Sequence, residues 1–284
     1  PLNVVDNFIK EYNVNEMPLP RYPLPPNGTD IITWPGGGEL LDYQDIMKYY
    51  TDDQYNMHTK LPDYVIKEVR RAYYGCATYL DSMVGEVLQE LDRLNLRDDT
   101  VVVFMSDHGY HLGEKGVWGK NTLWEESLHV PLMISIPGAS PSKSEELVEL
   151  VDVYPTLVEA TGFGRMHQCP KKETGSLSFC SEGSSLMPLI KQENSTWKDS
   201  VFSQSIYPIY GEAELSGYTV RDKKYRYTEW IDYTGGFPDT WTKLALRELY
   251  DLENDQYQMN NLADDAKYTK VIADMEHKLH MGWK

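Results

Sequence analysis

The longest regular hydrophobic pattern of the chain lies between residues 62 and 94. Apolar side chains recur there every three or four residues, at Val65, Val69, Ala72, Cys76, Leu80, Met83, Val87, Leu91 and Leu94. This spacing places all of them on one face of a helix. The pattern therefore predicts one long amphipathic helix that begins just after Pro62.

Two short, uninterrupted apolar segments follow this helix, at residues 100–105 and 129–137. Such runs, bounded by turn residues, are typical of strands that are buried on both faces of a parallel sheet. Asp152 is expected to cap a further helix, which ends before Gly162. Because helices and such strands alternate in α/β folds, residues 62–162 are predicted to form an α/β core.

The pattern changes on either side of this core. Residues 1–61 are rich in proline and show little periodicity, which predicts an irregular segment with at most short helices. In residues 163–284, four β-rich segments alternate with turns, and helical spacing returns over 264–281. This part is predicted to be a smaller subdomain with an antiparallel sheet and a terminal helix.

Composition excludes several classes of protein. The 284-residue chain is 41% hydrophobic, as in globular proteins, and its net charge of −17 argues against binding to nucleic acid. No apolar run approaches the roughly 18–20 residues that a membrane span needs, and the first twenty residues lack a signal-peptide core. The chain begins at Pro1 rather than at Met. We therefore expect a processed chain or a fragment, with no membrane span.

Cysteines and glycosylation sequons favour the secretory pathway. Cys169 and Cys180 lie in a polar segment without a histidine at zinc-binding spacing, so a local disulfide fits better than a metal site. Asn27-Gly-Thr and Asn194-Ser-Thr are acceptor sequons for N-glycosylation. Cys76 lies on the apolar face of the predicted helix and is expected to be a buried free thiol.

The segment with the richest candidate chemistry is residues 105–120, directly after the first predicted strand. Asp107 and His108 should lie at the carboxyl edge of the sheet, where α/β folds place their ligand sites. A carboxylate and an imidazole can both ligate one divalent cation, and Lys120 could face a bound anion. The alternative is that Asp107 caps a turn, His108 is a structural loop histidine and Lys120 is solvated.

The motifs in this region resemble those of the sulfatases in the alkaline-phosphatase superfamily. The matching pieces are, in order, Ser106-Asp107-His108-Gly109, Leu112-Gly113-Glu114, Trp118, Lys120 and His129-Val-Pro-Leu132. Many arylsulfatases have Asn where His108 stands. The histidine therefore favours the branches of iduronate-2-sulfatases, choline-sulfatases and phosphonate monoester hydrolases, of which the first resembles the chain most, from about residue 62 onward.

The resemblance implies a site and a reaction. Asp107 and His108 would be ligands of Ca²⁺, and Lys120 would be a catalytic residue that contacts the sulfate ester. Tyr110 and His111 are expected near the substrate, although the iduronate-2-sulfatase pattern has other residues there. The implied reaction is hydrolysis of sulfate esters, in particular the 2-O-sulfate of iduronate in heparan or dermatan sulfate, by a lysosomal or secreted enzyme.

The resemblance also implies a nucleophile that this chain lacks. The family makes a formylglycine from a cysteine in a Cys-x-Pro-x-Arg motif, and none of the three cysteines has that context. The chain is therefore expected to be the C-terminal part of a sulfatase, inactive without the N-terminal part of the same protein. Two alternatives are a phosphonate or phosphate-ester hydrolase of the same superfamily and a secreted, non-catalytic sulfatase-like glycoprotein. No role is assigned to His58, His167, His277 and His280.

Overall fold

The structure is a computed structural model that divides into two compact units. The first unit comprises Pro1–Asp98 and His108–Thr122, and the second comprises Asp99–Asp107 and Leu123–Lys284. The residues that the structure describes are 6–38, 40, 43, 56–169, 179–193, 196–208, 214–234 and 241–282.

The chain combines helices with antiparallel sheets, which confirms the predicted mixture of helix and sheet. The α-helices are α1 Asp6–Lys10, α2 Asp63–Arg93, α3 Glu125–Leu128, α4 Val153–Ala160, α5 Met187–Ile190 and α6 Thr269–Gly282. The strands are β1 Val102–Met105, β2 His111–Leu112, β3 Trp118–Gly119, β4 Leu132–Ser135, β5 Val201–Pro208, β6 Glu214–Arg221, β7 Tyr225–Asp232 and β8 Leu244–Asp251. Among the described residues, no helix has the length and apolar character needed to cross a membrane.

Helix α2 confirms the helix that the apolar stripe predicted. Near its start Val65 and Val69 are buried. Helix α1 packs on it so closely that a Cβ at Gly75 would lie 3.3 Å from the Cα of Ile9. The second half of the stripe is exposed instead, at Leu80, Val87 and Leu94, with exposed fractions of 54%, 69% and 48%. The first unit thus leaves part of the apolar face of α2 uncovered.

Strands β1 and β4 form a two-stranded antiparallel sheet in which Val103 lies opposite Ile134. The prediction that these strands are buried on both faces of a parallel sheet is therefore wrong. Met105 and Met133 are 46% and 58% exposed. An apolar run indicates that a strand can be buried, but its pairing depends on residues distant in sequence, which the run does not specify.

Strands β5 to β8 confirm the predicted antiparallel sheet, in the order β5-β6-β7-β8. Helix α6 packs on one face, where its side chains meet sheet residues in a core of Val220, Tyr227, Leu249, Ile272, Met275 and Leu279. Because side chains alternate along a strand, Trp230 of β7 points to the opposite face, where it packs with Leu123 and Leu215. The central strand β7 is consequently buried on both faces.

Helix α4 begins next to Asp152 as predicted, but the carboxylate of this residue does not cap the helix. Asp152 is fully buried. Its Oδ1 accepts a hydrogen bond from the Ser184 backbone amide at 2.7 Å, and it forms an ion pair with Lys198 at 2.8 Å. Asp152 therefore ties α4 to chain segments that follow it, because buried carboxylates need hydrogen-bonded partners.

Cys169 and Cys180 form a disulfide, as the sequence predicted. The backbone amide of Cys169 donates to the Ser181 carbonyl at 2.9 Å, and the Ser181 amide donates to the His167 carbonyl at the same distance. These two hydrogen bonds hold the ends of the disulfide loop together. Cys76 is a half-buried free thiol.

Candidate functional site

Asp107 and His108 follow β1 after one intervening residue, Ser106, and so lie near the carboxyl end of this strand, as predicted. The backbone amide of Ser106 donates to the Pro131 carbonyl at 3.2 Å and so extends the pairing of β1 with β4 by one residue. Asp107 is exposed and is the last residue of segment 99–107, which belongs to the second unit. His108 is half-buried and is the first residue of segment 108–122, which belongs to the first unit.

The backbone fixes the tautomer of His108. Its Nδ1 lies 2.8 Å from the carbonyl oxygen of Gly109. Because a carbonyl oxygen only accepts hydrogen bonds, Nδ1 carries a hydrogen, and in the neutral ring Nε2 then carries the lone pair. Metal-binding histidines commonly have this arrangement, in which a backbone carbonyl orients the ring and the other nitrogen is the ligand. Asp107 offers the carboxylate oxygen that hard cations prefer.

A tight hairpin carries Lys120. Strand β2 pairs antiparallel with β3, so that His111 lies opposite Gly119. The turn between them requires glycine at position 113, where φ is +99° and a Cβ would lie 2.7 Å from the Trp118 ring. Lys120 follows β3 directly and is half-exposed. The conformation of the hairpin therefore decides where the lysine backbone lies.

An ion pair from α2 holds the turn of this hairpin. One terminal nitrogen of Arg70 donates to Glu114 Oε1 and to the Leu112 carbonyl, at 2.9 Å each. Glu114 Oε2 accepts the Leu112 amide at 2.7 Å. Burial by itself raises the pKa of Glu114, but hydrogen bonds from Arg70 and from backbone amides outweigh burial and lower it. Sequence analysis missed Arg70, because its partner lies 44 residues away.

The proline-rich segment also contacts the hairpin. Lys115 is buried, with a positive φ of 57°. Its backbone amide donates to the Tyr22 carbonyl at 2.6 Å. Its carbonyl accepts a hydrogen bond from the indole nitrogen of Trp34 at 3.0 Å. Residues that sequence analysis described only as irregular therefore support the loop that carries Lys120.

His111, the first residue of β2, is fully buried. Its Nε2 lies 2.9 Å from the Thr122 hydroxyl, and its Nδ1 lies 3.3 Å from the Glu114 carbonyl. Burial, with a smaller effect from Lys115, lowers its pKa to about 3. The ring is thus neutral at physiological pH, and it joins the two ends of the hairpin. Its contact with substrate stays a prediction.

The other predicted residues have diverse surroundings. Tyr110 is half-buried, and its ring centroid lies 5.7 Å from that of Tyr73 on α2. Asn27 is exposed and lies within a turn that the Thr29 amide closes by donating to the Pro26 carbonyl. Asn194 lies outside the described residues. Glycosylation of these two asparagines stays a prediction.

Comparison with protein families gives two matches. The model of the sulfatase family matches residues 22–163. The model of the C-terminal region of N-sulphoglucosamine sulphohydrolase matches residues 113–283. The segment with Asp107, His108 and Lys120 lies within the first match, and the β5–β8 sheet and α6 lie within the second.

Individual proteins are similar over most of the chain. Iduronate 2-sulfatase of Mus musculus is 24% identical over 96% of this chain and 57% of its own length. Choline-sulfatase of Rhizobium meliloti is 30% identical over 71% of this chain and 34% of its own. The structure of a phosphonate monoester hydrolase from Silicibacter pomeroyi superposes with a TM-score of 0.68 at 22% identity, over 99% of this chain and 53% of that one. The chain thus spans about half the length of the proteins that it matches most fully.

Proposed function

Because this chain belongs to the sulfatase family, we propose that the protein containing it hydrolyses sulfate monoesters with Asp107, His108 and Lys120. The observation that carries the proposal is the local structure of residues 106–120. There the Gly109 carbonyl holds His108 in a metal-binding tautomer, and an anchored hairpin leads to Lys120. Tyr110, at the start of this hairpin, is proposed to contact the sugar.

Asp107 and His108 fit a divalent cation by the chemistry of their donors. Asp107 would supply a carboxylate oxygen and His108 its Nε2, and we propose Ca²⁺ as the cation. Such a cation, when bound, polarises sulfate oxygens as a Lewis acid. Lys120 would contact the sulfate and stabilise negative charge on the bridging oxygen as the alcohol leaves. The neutral His111 and the pair Arg70–Glu114 would keep the hairpin in place.

The proposed substrate is a sulfated sugar, in particular 2-O-sulfated iduronate at the end of heparan or dermatan sulfate. The similarity to iduronate 2-sulfatase supports this assignment. The net charge of −17 opposes binding of a polyanion, so a local positive site has to outweigh the overall field. An enzyme that acts on chain ends needs only such a local site.

The nucleophile is proposed to come from an N-terminal part of the same protein. None of the three cysteines of this chain lies in the formylglycine motif, so no step of the reaction is assigned to them. Two uncovered apolar surfaces support a missing partner segment. One is the second half of the α2 stripe, and the other is the β1–β4 sheet, with Met105 exposed on one face and Met133 on the other. Large exposed apolar surfaces mark interfaces.

We also propose that the protein is a lysosomal or secreted glycoprotein. The disulfide Cys169–Cys180 supports an oxidising compartment. The sequon at Asn27 is exposed, as a glycosylation acceptor has to be. Mass spectrometry of peptides from the protein secreted by eukaryotic cells, with and without a glycosidase, tests both sequons.

Activity of the full-length protein tests the proposed function. The assay compares a 2-O-sulfated iduronate disaccharide, an aryl sulfate and an aryl phosphonate monoester at equal concentrations. We expect the highest kcat/KM for the sulfated disaccharide. Absence of hydrolysis of all three esters by full-length protein with a formylglycine motif would support the non-catalytic alternative.

A phosphonate monoester hydrolase is the second candidate. The specific observation in its favour is the superposition on a phosphonate monoester hydrolase over 99% of this chain. Both reactions use a cation and a positive group at the leaving oxygen, so the local structure around Lys120 suits either ester. Preference for the aryl phosphonate in the same assay would establish this alternative.

A further inference from the structure

The second unit brings together three potential metal ligands that the proposed hydrolysis does not use. Glu276 and His280 lie four residues apart on α6, and Glu229 lies on β7. Residues four apart on a helix share a face. One ligand atom from each residue lies within 4.8 Å of the other two. We propose that Glu229, Glu276 and His280 bind a divalent transition metal of the zinc class.

Glu229 is held as an oriented, buried ligand. Its side chain is 2% exposed, and Oε2 lies 2.9 Å from His280 Nε2. The other oxygen, Oε1, accepts a hydrogen bond from the Tyr227 hydroxyl at 2.8 Å. Metal-binding carboxylates typically have such an outer hydrogen bond, which fixes the direction of the remaining oxygen. Tyr227 therefore directs Oε2 toward the histidine.

An aromatic contact fixes His280. The ring of Trp241 stacks on the imidazole, with ring centroids 4.2 Å apart and planes inclined by 22°. This contact restricts rotation of the imidazole while Nε2 faces Glu229. The His280 side chain is 29% exposed, and Glu276 is half-buried. A metal ion can therefore reach the three residues from solvent.

The local charge favours a cation. The Tyr227 hydroxyl donates its proton to Glu229 at 2.8 Å and so adds no negative charge of its own beside the two carboxylates. An imidazole balances a buried carboxylate only when it is protonated, whereas a dication balances two carboxylates at any pH at which they are ionised. Arg247, which lies opposite Glu229 in the β7–β8 register, is exposed.

The donor set determines the class of metal. Two carboxylates and one imidazole supply three protein ligands, the number that zinc sites with a bound water molecule have, whereas Ca²⁺ takes six to eight ligands. Metal–ligand bonds of about 2.0–2.2 Å in a tetrahedron place the ligand atoms about 3.3–3.6 Å apart. The 2.9 Å contact of Glu229 with His280 would therefore open slightly, and the carboxylate of Glu276 would move closer.

Metal titration of the full-length protein tests the proposal. The protein carries Asp107→Ala and His108→Ala, so that the proposed calcium site cannot contribute. We expect one equivalent of Co²⁺ to bind, with visible absorption bands and quenched tryptophan emission because Trp241 stacks on a ligand. Zn²⁺ should displace the Co²⁺. In this background, Glu276→Gln and His280→Ala should each weaken Zn²⁺ binding by more than the 10–100-fold that loss of an outer hydrogen bond produces.

His277→Ala is the matched control, because His277 is an exposed histidine on the same helix. This variant should bind Zn²⁺ as tightly as its parent. Glu276→Gln removes the charge but keeps the shape of the side chain. Circular dichroism spectra recorded without metal check that each variant is folded. Saturable binding that the Glu276 and His280 variants lose and the His277 variant keeps would establish the site. Absence of saturable binding by the parent protein, or equal affinity in all three variants, would overturn it.

Discussion

Lys120 and Asp107 should respond differently to substitution in the full-length protein. Lys120→Ala removes the positive charge that we propose to lie at the bridging oxygen, so kcat should fall about 100-fold or more while calcium content stays near normal. Asp107→Ala removes the proposed carboxylate ligand, so both calcium content and kcat should fall. Measurement of kcat with elemental analysis of the purified variants separates the two roles.

Lys143 provides a control for Lys120, because it is a surface lysine with a side chain that is 85% exposed. Lys143→Ala should leave kcat unchanged. Lys120→Arg should restore activity only in part, because a planar guanidinium does not replace a compact ammonium. Wild-type turnover in Lys120→Ala would show that this lysine is only a solvated loop residue.

His111 should make the stability of the protein depend on pH. Burial lowers its pKa to about 3, whereas the unfolded chain has the ordinary value of 6.5. Below pH 6.5 the unfolded state therefore binds more protons than the folded state, and stability falls as the pH falls toward 3. Between pH 7 and 5 this group should remove about 2 kcal/mol from the free energy of unfolding. Urea unfolding at several pH values measures the loss.

His111→Gln is the comparison for this titration, since glutamine has donors and acceptors for the Thr122 and Glu114 contacts but does not titrate. Stability of the variant should vary less between pH 7 and 5 than that of the wild-type protein. If the free energy of unfolding depends on pH equally in the two proteins, either His111 is protonated in the folded state or the titration of other groups dominates the pH dependence.

At the scale of elements, the β2–β3 hairpin should be sensitive to its first turn glycine. Gly113→Ala forces a positive φ of 99° on alanine and places a Cβ 2.7 Å from the Trp118 ring. We expect a loss of stability of about 1–3 kcal/mol or more from the collision and the backbone strain together. Thermal unfolding measures this loss, and kcat should fall because Lys120 follows the hairpin.

Gly138→Ala separates the two causes. Gly138 also has a positive φ, of 76°, but a Cβ there would meet no atom within 4 Å. This variant should show the backbone strain alone, with a smaller loss of stability and unchanged kcat. An equal loss in both variants would mean that the contact with Trp118 contributes nothing.

The elements also differ in how well the sequence predicted them. Helix α2 was predicted correctly because its apolar pattern has a clear period of 3.6, and strands β5 to β8 because each pairs with a strand that is adjacent in sequence. The antiparallel pairing of β1 with β4 was not predicted from the sequence. A uniformly apolar strand carries no alternation from which to infer its environment, so its pairing had to come from the tertiary structure.

For the whole molecule, we expect the 284-residue chain on its own to expose apolar surface that another segment covers in the full-length protein. The α2 stripe and the β1–β4 sheet leave apolar side chains such as Val87 and Met133 exposed. We expect the isolated chain to bind a hydrophobic dye, to self-associate, and not to hydrolyse sulfate esters above background. Co-expression with an N-terminal segment that carries the formylglycine motif should reduce dye binding and yield activity. Turnover by the rigorously purified chain alone would contradict the proposed division of the site.

The sequence by itself determined the sulfatase resemblance, the order of most elements, the disulfide Cys169–Cys180 and the segment with Asp107, His108 and Lys120. These depend on local pattern or on motifs whose residues are close along the chain. Only the tertiary structure identified the Arg70–Glu114 pair, the buried state of His111 and the group of Glu229, Glu276 and His280. Each of these depends on contacts between distant elements, and the spacing of residues along a chain does not encode such contacts.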